Sequence, residues 1–448
     1  MSNTRIIAEM EDNANAFLNL LNENEEDKLN SKRRLDLETQ VYWESENLTL
    51  EKQKKMQVAV TLELEPYTPK RETSMMEDGR GMVHEVVDNG DSYTGQVHRL
   101  VRVQRRIWKN GRQVKKYRDI CDCRVHLLKS RVDAENRVAC PNCGGLGTVE
   151  SYVDGCDYCG ARFAVNYFKS KVAGFSLVES LTERANGISK KMFVTYIVGF
   201  LVLFFAMWGM PFGLQAGYGT GFGAGFAMFG VMEKMFFTVF KMFFIMFFTT
   251  LALKIFIFPQ NQGKNANVVR ERIPEFDETE FRQDLEYRLK ALLMAGDGRC
   301  LGGISDCDLS EFIEAHGDVF DMSISGIKYL SASFHQATGD DCISLVATVK
   351  LYRLRGSFVS ESYENITLHV ARQRTAHVSP CAVRQYKCSS CGNAINIFDG
   401  GKCDYCGTEL DKFSLGWVVQ GCSWEKKMNT YRVIPVAVGI ISILILII

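Results

Sequence analysis

The sequence predicts an α+β multidomain membrane protein. Three observations predict it: two matched four-cysteine units, an uncharged apolar stretch between them, and helix-period segments followed by strand-period runs.

The first 56 residues are charged and helical in pattern, with Ile6, Ile7, Met10, Phe17, Leu18, Leu20 and Leu21 recurring near helical spacing. Residues 57–135 change period. Val58, Val60, Leu62 and Leu64 alternate as on a half-buried strand, and Asn110-Gly111 between two strand-like runs is a strong hairpin signal. That hairpin has no acidic residue from His98 to Arg118 and carries Arg102, Arg105, Arg106, Lys109, Arg112, Lys115 and Lys116. Cations interleaved with aromatics suit phosphate groups, of lipid or of nucleic acid, and these seven residues are the candidate phosphate or lipid contacts. A charge-protected edge strand is the plainer alternative.

Ribbon 1, residues 136–175, contains Cys140, Cys143, Cys156 and Cys159; ribbon 2, residues 385–412, contains Cys388, Cys391, Cys403 and Cys406. Each unit is Cys-x2-Cys, a spacer of 12 or 11 residues, and a second Cys-x2-Cys, which supplies four thiolates to one tetrahedral ion. A glycine follows every pair, where a tight knuckle needs a left-handed backbone. Two structural Zn2+ ions are therefore expected. Disulfides or core thiols are the alternative, and four copies of one knuckle pattern weigh against it. Four protein ligands leave no open position, so the sites hold a shape and no catalytic residue is expected.

Residues 192–232 contain no charged side chain, and a further Phe- and Met-rich run extends to 258. At about 20 apolar residues per span, 192–258 is expected to form a transmembrane hairpin with a Gly-rich loop, and 433–448 a C-terminal transmembrane anchor. Basic clusters flank all three apolar ends, and thiolate ligands favour a reducing compartment. Together they place both ribbons on the cytosolic side of an integral membrane protein. No apolar h-region of a secretory signal occurs in the first 55 residues.

Between the apolar stretch and ribbon 2, residues 275–380 read as an α+β domain. Glu278 to Met294 is amphipathic through Phe281, Leu285, Leu289, Leu292 and Leu293, and four strand-like runs follow. Glu311, Glu314 and His316 fit a solvated helix face.

The chain has 448 residues, 15 cysteines and zero net charge, which excludes a polyelectrolyte acting through its global field. Cys121 and Cys123 with His126 offer further ligand types, although small buried residues explain them better.

The run Cys388-Ser-Ser-Cys391-Gly392-Asn393-Ala394-Ile395, followed by Gly401-Lys402-Cys403-Asp-Tyr-Cys406-Gly407-Thr408 and Leu415-Gly-Trp417-Val-Val419, resembles membrane-anchored bacterial members of the Tim-forty-four-like family. The resemblance covers roughly residues 275–420. It implies a curved antiparallel-sheet domain against helices and a role in binding a protein partner or lipid. The expected function is thus a non-enzymatic membrane-anchored scaffold for a protein or anionic lipid, with homo-oligomerisation open. A tethered nucleic-acid binder is the alternative, and a transporter is disfavoured because Lys241 has no ionisable partner within the spans.

Overall fold

A computed structural model describes residues 3–22, 34, 36–68, 83–88, 92–130, 137–139, 143–148, 151, 156–160, 169–179, 237, 266–274, 276–296, 299–374, 386–388, 390, 391, 394, 395, 402, 403, 405–409 and 416–427. The chain divides into two compact units. One comprises Met1–Glu179 with Gly263–Lys427, the other Ser180–Gln262 with Met428–Ile448.

The first unit is built mainly from two antiparallel sheets with few helices, which corrects the expected α+β membrane architecture. Among the described residues no helix is long and apolar enough to cross a membrane. The physical reason is charge. The 20-residue helix α1 (Asn3–Asn22) carries Arg5, Glu9, Glu11 and Asp12, and a bilayer core demands about 20 apolar residues. The expectation of an integral membrane location, with ribbons on its cytosolic side, is overturned by the same finding and by the mainly sheet structure. The proposed hairpin at 192–258, apart from Phe237, and the proposed anchor at 433–448 lie outside the described residues.

Sheet 1 contains β1 (Val58–Pro66), β2 (Val83–Asp88), β3 (Ser92–Lys109), β4 (Arg112–Ser130) and β7 (Lys171–Glu179), in the order β1-β3-β4-β7 with β2 also on β3. β1 pairs with one end of β3 and β2 with the other. The β3–β4 turn is two residues long, with Asn110 at φ 49° and Gly111 at φ 73°, the left-handed pair that matches the twist of the flanking strands. Between β4 and β7 come the short strands β5 (Arg137–Ala139) and β6 (Leu146–Thr148) and the first cysteine unit.

Helix α1 covers one face of this sheet. Ile6, Met10, Ala14 and Phe17 recur on one side of it and pack with Val97, Val101, Val125, Leu127 and Val172. Helix α2 (Gln40–Lys55) follows, capped by Thr39, whose hydroxyl accepts from the Tyr42 N–H.

The second half contributes a short helix α3 (Asn267–Arg270), then α4 (Glu278–Met294) and α5 (Ser310–Ala315). Sheet 2 runs β8 (Val319–His335), β9 (Asp340–Arg355), β10 (Phe358–Gln373) and β13 (Val418–Lys427), in that order. Alternate residues of β9, from Ile343 through Leu345, Ala347 and Val349 to Leu351, point into a core with Phe281, Leu285, Leu289 and Leu292 of α4. Burying each such side chain contributes about 1.5–3 kcal/mol. Ribbon 2 lies in sequence between β10 and β13, with β11 (Tyr386–Lys387) and β12 (Ala394–Ile395) at its start.

The two sheets repeat one plan. In each, a row of three strand positions, the first filled by both β1 and β2 in sheet 1, is followed by a cysteine unit and a last strand that returns beside the third position. The pairing of third position and last strand breaks register at His126/Leu127 in sheet 1 and at His369/Val370 in sheet 2. Across the break His126 opposes Gly174 and His369 opposes Gly421. A segment ahead of α2 in the first half and of α5 in the second makes a parallel bridge to the last strand of its sheet, Glu38 to Val172 and Ser305 to Val419. Within sheet 1 the counterpart of β8 is divided into β1 and β2.

Where the halves meet, Lys290 of α4 forms an ion pair with Glu46 of α2 and lies 3.6 Å from Glu286. A small apolar cluster of Val58, Ile107, Phe320 and Tyr352 joins the sheets beside it.

Candidate metal centres

Ribbon 2 begins at the β11–β12 pairing, which turns the chain through its first knuckle. Its second knuckle is fixed by a bridge between Lys402 and Glu409, by the Cys403 N–H donating to the Thr408 carbonyl at 2.9 Å, and by the Gly407 N–H donating to the Cys403 carbonyl at 2.8 Å. That last bond demands a left-handed residue, and Gly407 has φ 70°.

The sulfur atoms of Cys388, Cys391, Cys403 and Cys406 then converge, all within 4.8 Å of one another. Cys388 Sγ is 3.5 Å from Cys406 Sγ, and Cys391 Sγ is 3.7 Å from Cys403 Sγ. A tetrahedral ion with metal–sulfur bonds of about 2.3 Å needs edges of about 3.8 Å, whereas a disulfide needs about 2.05 Å. The four sulfurs have the spacing of a metal site. Cys388 and Cys403 are buried, and Cys391 and Cys406 face solvent.

Hydrogen bonds favour the thiolate form at two of these sulfurs, those of Cys406 and Cys388. The Thr408 hydroxyl lies 3.1 Å from Cys406 Sγ and, together with the Thr408 N–H, brings that thiol down to about 6. Backbone N–H groups of Cys391 and Ser390 lower Cys388 as well. Thiolate is the ligand form, so these contacts reduce the cost of deprotonation on metal binding.

In ribbon 1, Cys143, Cys156 and Cys159 converge in the same way, with Cys143 Sγ 3.7 Å from Cys156 Sγ. The Gly160 N–H donates to the Cys156 carbonyl at 2.7 Å, repeating the second-ribbon knuckle. Cys140, the fourth expected ligand, lies outside the described residues. Both cysteine groups can hold a metal ion.

The candidate phosphate contacts separate. Arg105 is buried, donates to Asp321 of β8 and stacks 4.1 Å from the Tyr352 ring centroid. Arg102 and Arg106 pair across the strand with Glu65 at 3.3 Å and Glu63 at 2.7 Å. Lys109 donates to the Gly356 carbonyl, tying the β3–β4 tip to the β9–β10 tip. Arg112, Lys115 and Lys116 are exposed, and Lys115 lies 5.6 Å from the Tyr117 ring centroid. Cys121, Cys123 and His126 are buried in sheet 1 and belong to neither thiol group.

Sequence reasoning missed a buried charge network. His316, expected on a solvated face, is fully buried, donates from Nδ1 to the Phe312 carbonyl at 2.7 Å and meets Glu364 Oε2 at 2.9 Å. Arg353 donates to the other oxygen of Glu364 at 2.6 Å and also pairs with Asp318. Burial pushes the Glu364 carboxyl up, but the His316 hydrogen bond and the Arg353 charge outweigh it and hold it below the ordinary range. Arg353 and Glu364 lie on the paired strands β9 and β10, and only that pairing brings them together.

No known family model, curated protein or solved structure matches this chain. Its class is therefore stated from geometry: a two-sheet antiparallel protein with two cysteine groups that can hold metal.

Proposed function

We propose that the chain is a non-enzymatic zinc-binding scaffold whose ribbons hold the return strand of each sheet and whose hairpin tips dock an anionic partner, a protein surface or lipid. The closed set Cys388, Cys391, Cys403 and Cys406 carries this reading. Four thiolates at tetrahedral spacing suit zinc or an iron–sulfur centre, and the single-ion edge length favours zinc. With every position filled by protein, such an ion stabilises a shape and does not bind substrate.

The docking surface is supported by what is left of the basic hairpin. Arg112, Lys115 and Lys116 stand at one tip; Arg355 and Phe358, the latter 79 % exposed, stand at the other. Because Lys109 ties the tips together, an apolar apex sits among cations. A duplex phosphate track is favoured less, since Arg102, Arg105 and Arg106 are neutralised by the chain's own carboxylates. Kinship with the Tim-forty-four-like family is likewise proposed, on the quoted ribbon and on α4 lying against an antiparallel sheet.

Elemental analysis of the purified chain tests the metal half, with about two zinc ions per chain expected. Iron, or no metal, would overturn it. Vesicle and acidic-peptide pull-down with Phe358→Ser and Lys116→Glu tests the docking half, and retention equal to that of the unaltered protein would refute it.

A further inference from the structure

The two halves of the first unit follow each other head to tail, and this arrangement leaves one interface open. β7, the last strand of sheet 1, lies beside β8, the first of sheet 2, without hydrogen bonds between them, and α2 packs on α4. The second module's helix also covers the histidine of the first module. His126 is buried, and a methyl group placed on Gly174 would meet Gln283 of α4 at 3.4 Å and His126 at 3.5 Å. From the same helix, Tyr287 and Ala291 complete the core beneath α1.

At the equivalent place in the second module, no described residue supplies that cover. His369 is exposed and hydrogen-bonded to Ser344 at 2.8 Å, just as His126 meets Gln96 at 3.3 Å from the equivalent position on the neighbouring strand. The three atoms nearest a methyl group on Gly421 all belong to His369. The helix that occupies the place of α4 in the first module is α1, and its Arg5, Ala8, Asp12 and Asn19 form an exposed stripe.

We propose that the His369–Gly421 face of sheet 2 is the docking site for helix α1 of a second copy of this chain, continuing between chains the head-to-tail contact that joins the modules within one. Continuity with the interface inside the chain identifies the occupant. Ala8, Asp12 and Asn19 of the α1 stripe are small enough for close approach to a sheet face carrying Ser344, Thr367 and His369, with the longer Arg5 at its start. Such a contact is heterologous, so each chain offers one helix and one face, and association builds rings or open chains. The inference is independent of the metal and docking reading above.

Sedimentation of the full chain across a wide concentration range tests it, with near-ultraviolet circular dichroism to confirm folding of each variant. The unaltered chain is expected to form concentration-dependent species larger than the monomer. His369→Glu, which alters the face, and Ala8→Trp, which alters the helix stripe, are each expected to sediment as monomers. An equimolar mixture of the two variants is expected to give dimers and nothing larger, because one variant keeps a good helix and the other a good face. A chain that stays monomeric throughout, variants that associate as the unaltered chain does, or a mixture that remains monomeric overturns the proposal.

Discussion

Arg105 of the first sheet and Asp321 of the second form a buried ion pair, with the guanidinium resting on Tyr352. The pair ties β3 to β8, so a cation that sequence reading placed at a phosphate surface joins the two halves. Removing one partner strands the other charge out of water. Arg105→Ala is therefore expected to destabilise the protein by about 3–5 kcal/mol, measured by denaturant unfolding. Lys116→Ala, at an exposed position of the same hairpin, is expected to stay within about 0.5 kcal/mol.

Cys403→Ser is expected to reduce bound metal from about two ions per chain to about one, because each of the two cysteine groups can hold one ion. The change should appear in elemental analysis and as a lower unfolding temperature. A chelator should lower the unfolding temperature of the unaltered protein further, since metal-binding free energy is then withdrawn from folding at both sites.

Burial raises Glu286 and Glu38 to about 7, against an ordinary 4.5, despite the nearby cations Lys290 and Arg34. Between these values the folded state binds more protons than the unfolded one. The stability from these groups is thus fully present below about 4.5 and is lost as pH rises through about 7. Glu286→Gln is expected to flatten the decline across that window by up to about 3 kcal/mol. An unchanged slope in unfolding free energy against pH would remove Glu286 from this role.

Gly407→Ala is expected to cost about 1–2 kcal/mol. A methyl group there meets nothing within 4 Å, so the penalty comes from φ 70° alone. The matched control is Gly296→Ala, which also meets open space but has no positive φ and is expected to be near neutral.

Local features were legible in the sequence because their causes are local. Asn110-Gly111 makes its turn, Glu278 to Met294 makes one helix, and Cys403 to Gly407 makes its knuckle, all through interactions a few residues apart. Arg105 and His316 were not legible, since their burial is decided by Asp321 and Glu364, which only the tertiary register brings near. The repeat was hidden for a related reason. Beyond the shared Cys-Asp-Tyr-Cys-Gly, the halves match in pairing geometry such as His126 opposite Gly174, and β1 and β2 disguise the counterpart of β8. Apolar composition suggested a membrane architecture, while the described helices proved too charged to cross one.

Each ribbon sits within the long connection that carries the chain from the third position of a sheet to the last strand. Closing such a connection costs entropy that grows with its length, and an ion gripping the middle of it shortens the effective loop before the strand arrives. β7 and β13 are therefore the strands whose arrival depends on metal. Refolding begun without metal should stall with four strands of sheet 1 and three of sheet 2 paired, and adding the ion would release the last strand of each. Ion supply would then set the rate of folding as well as its yield.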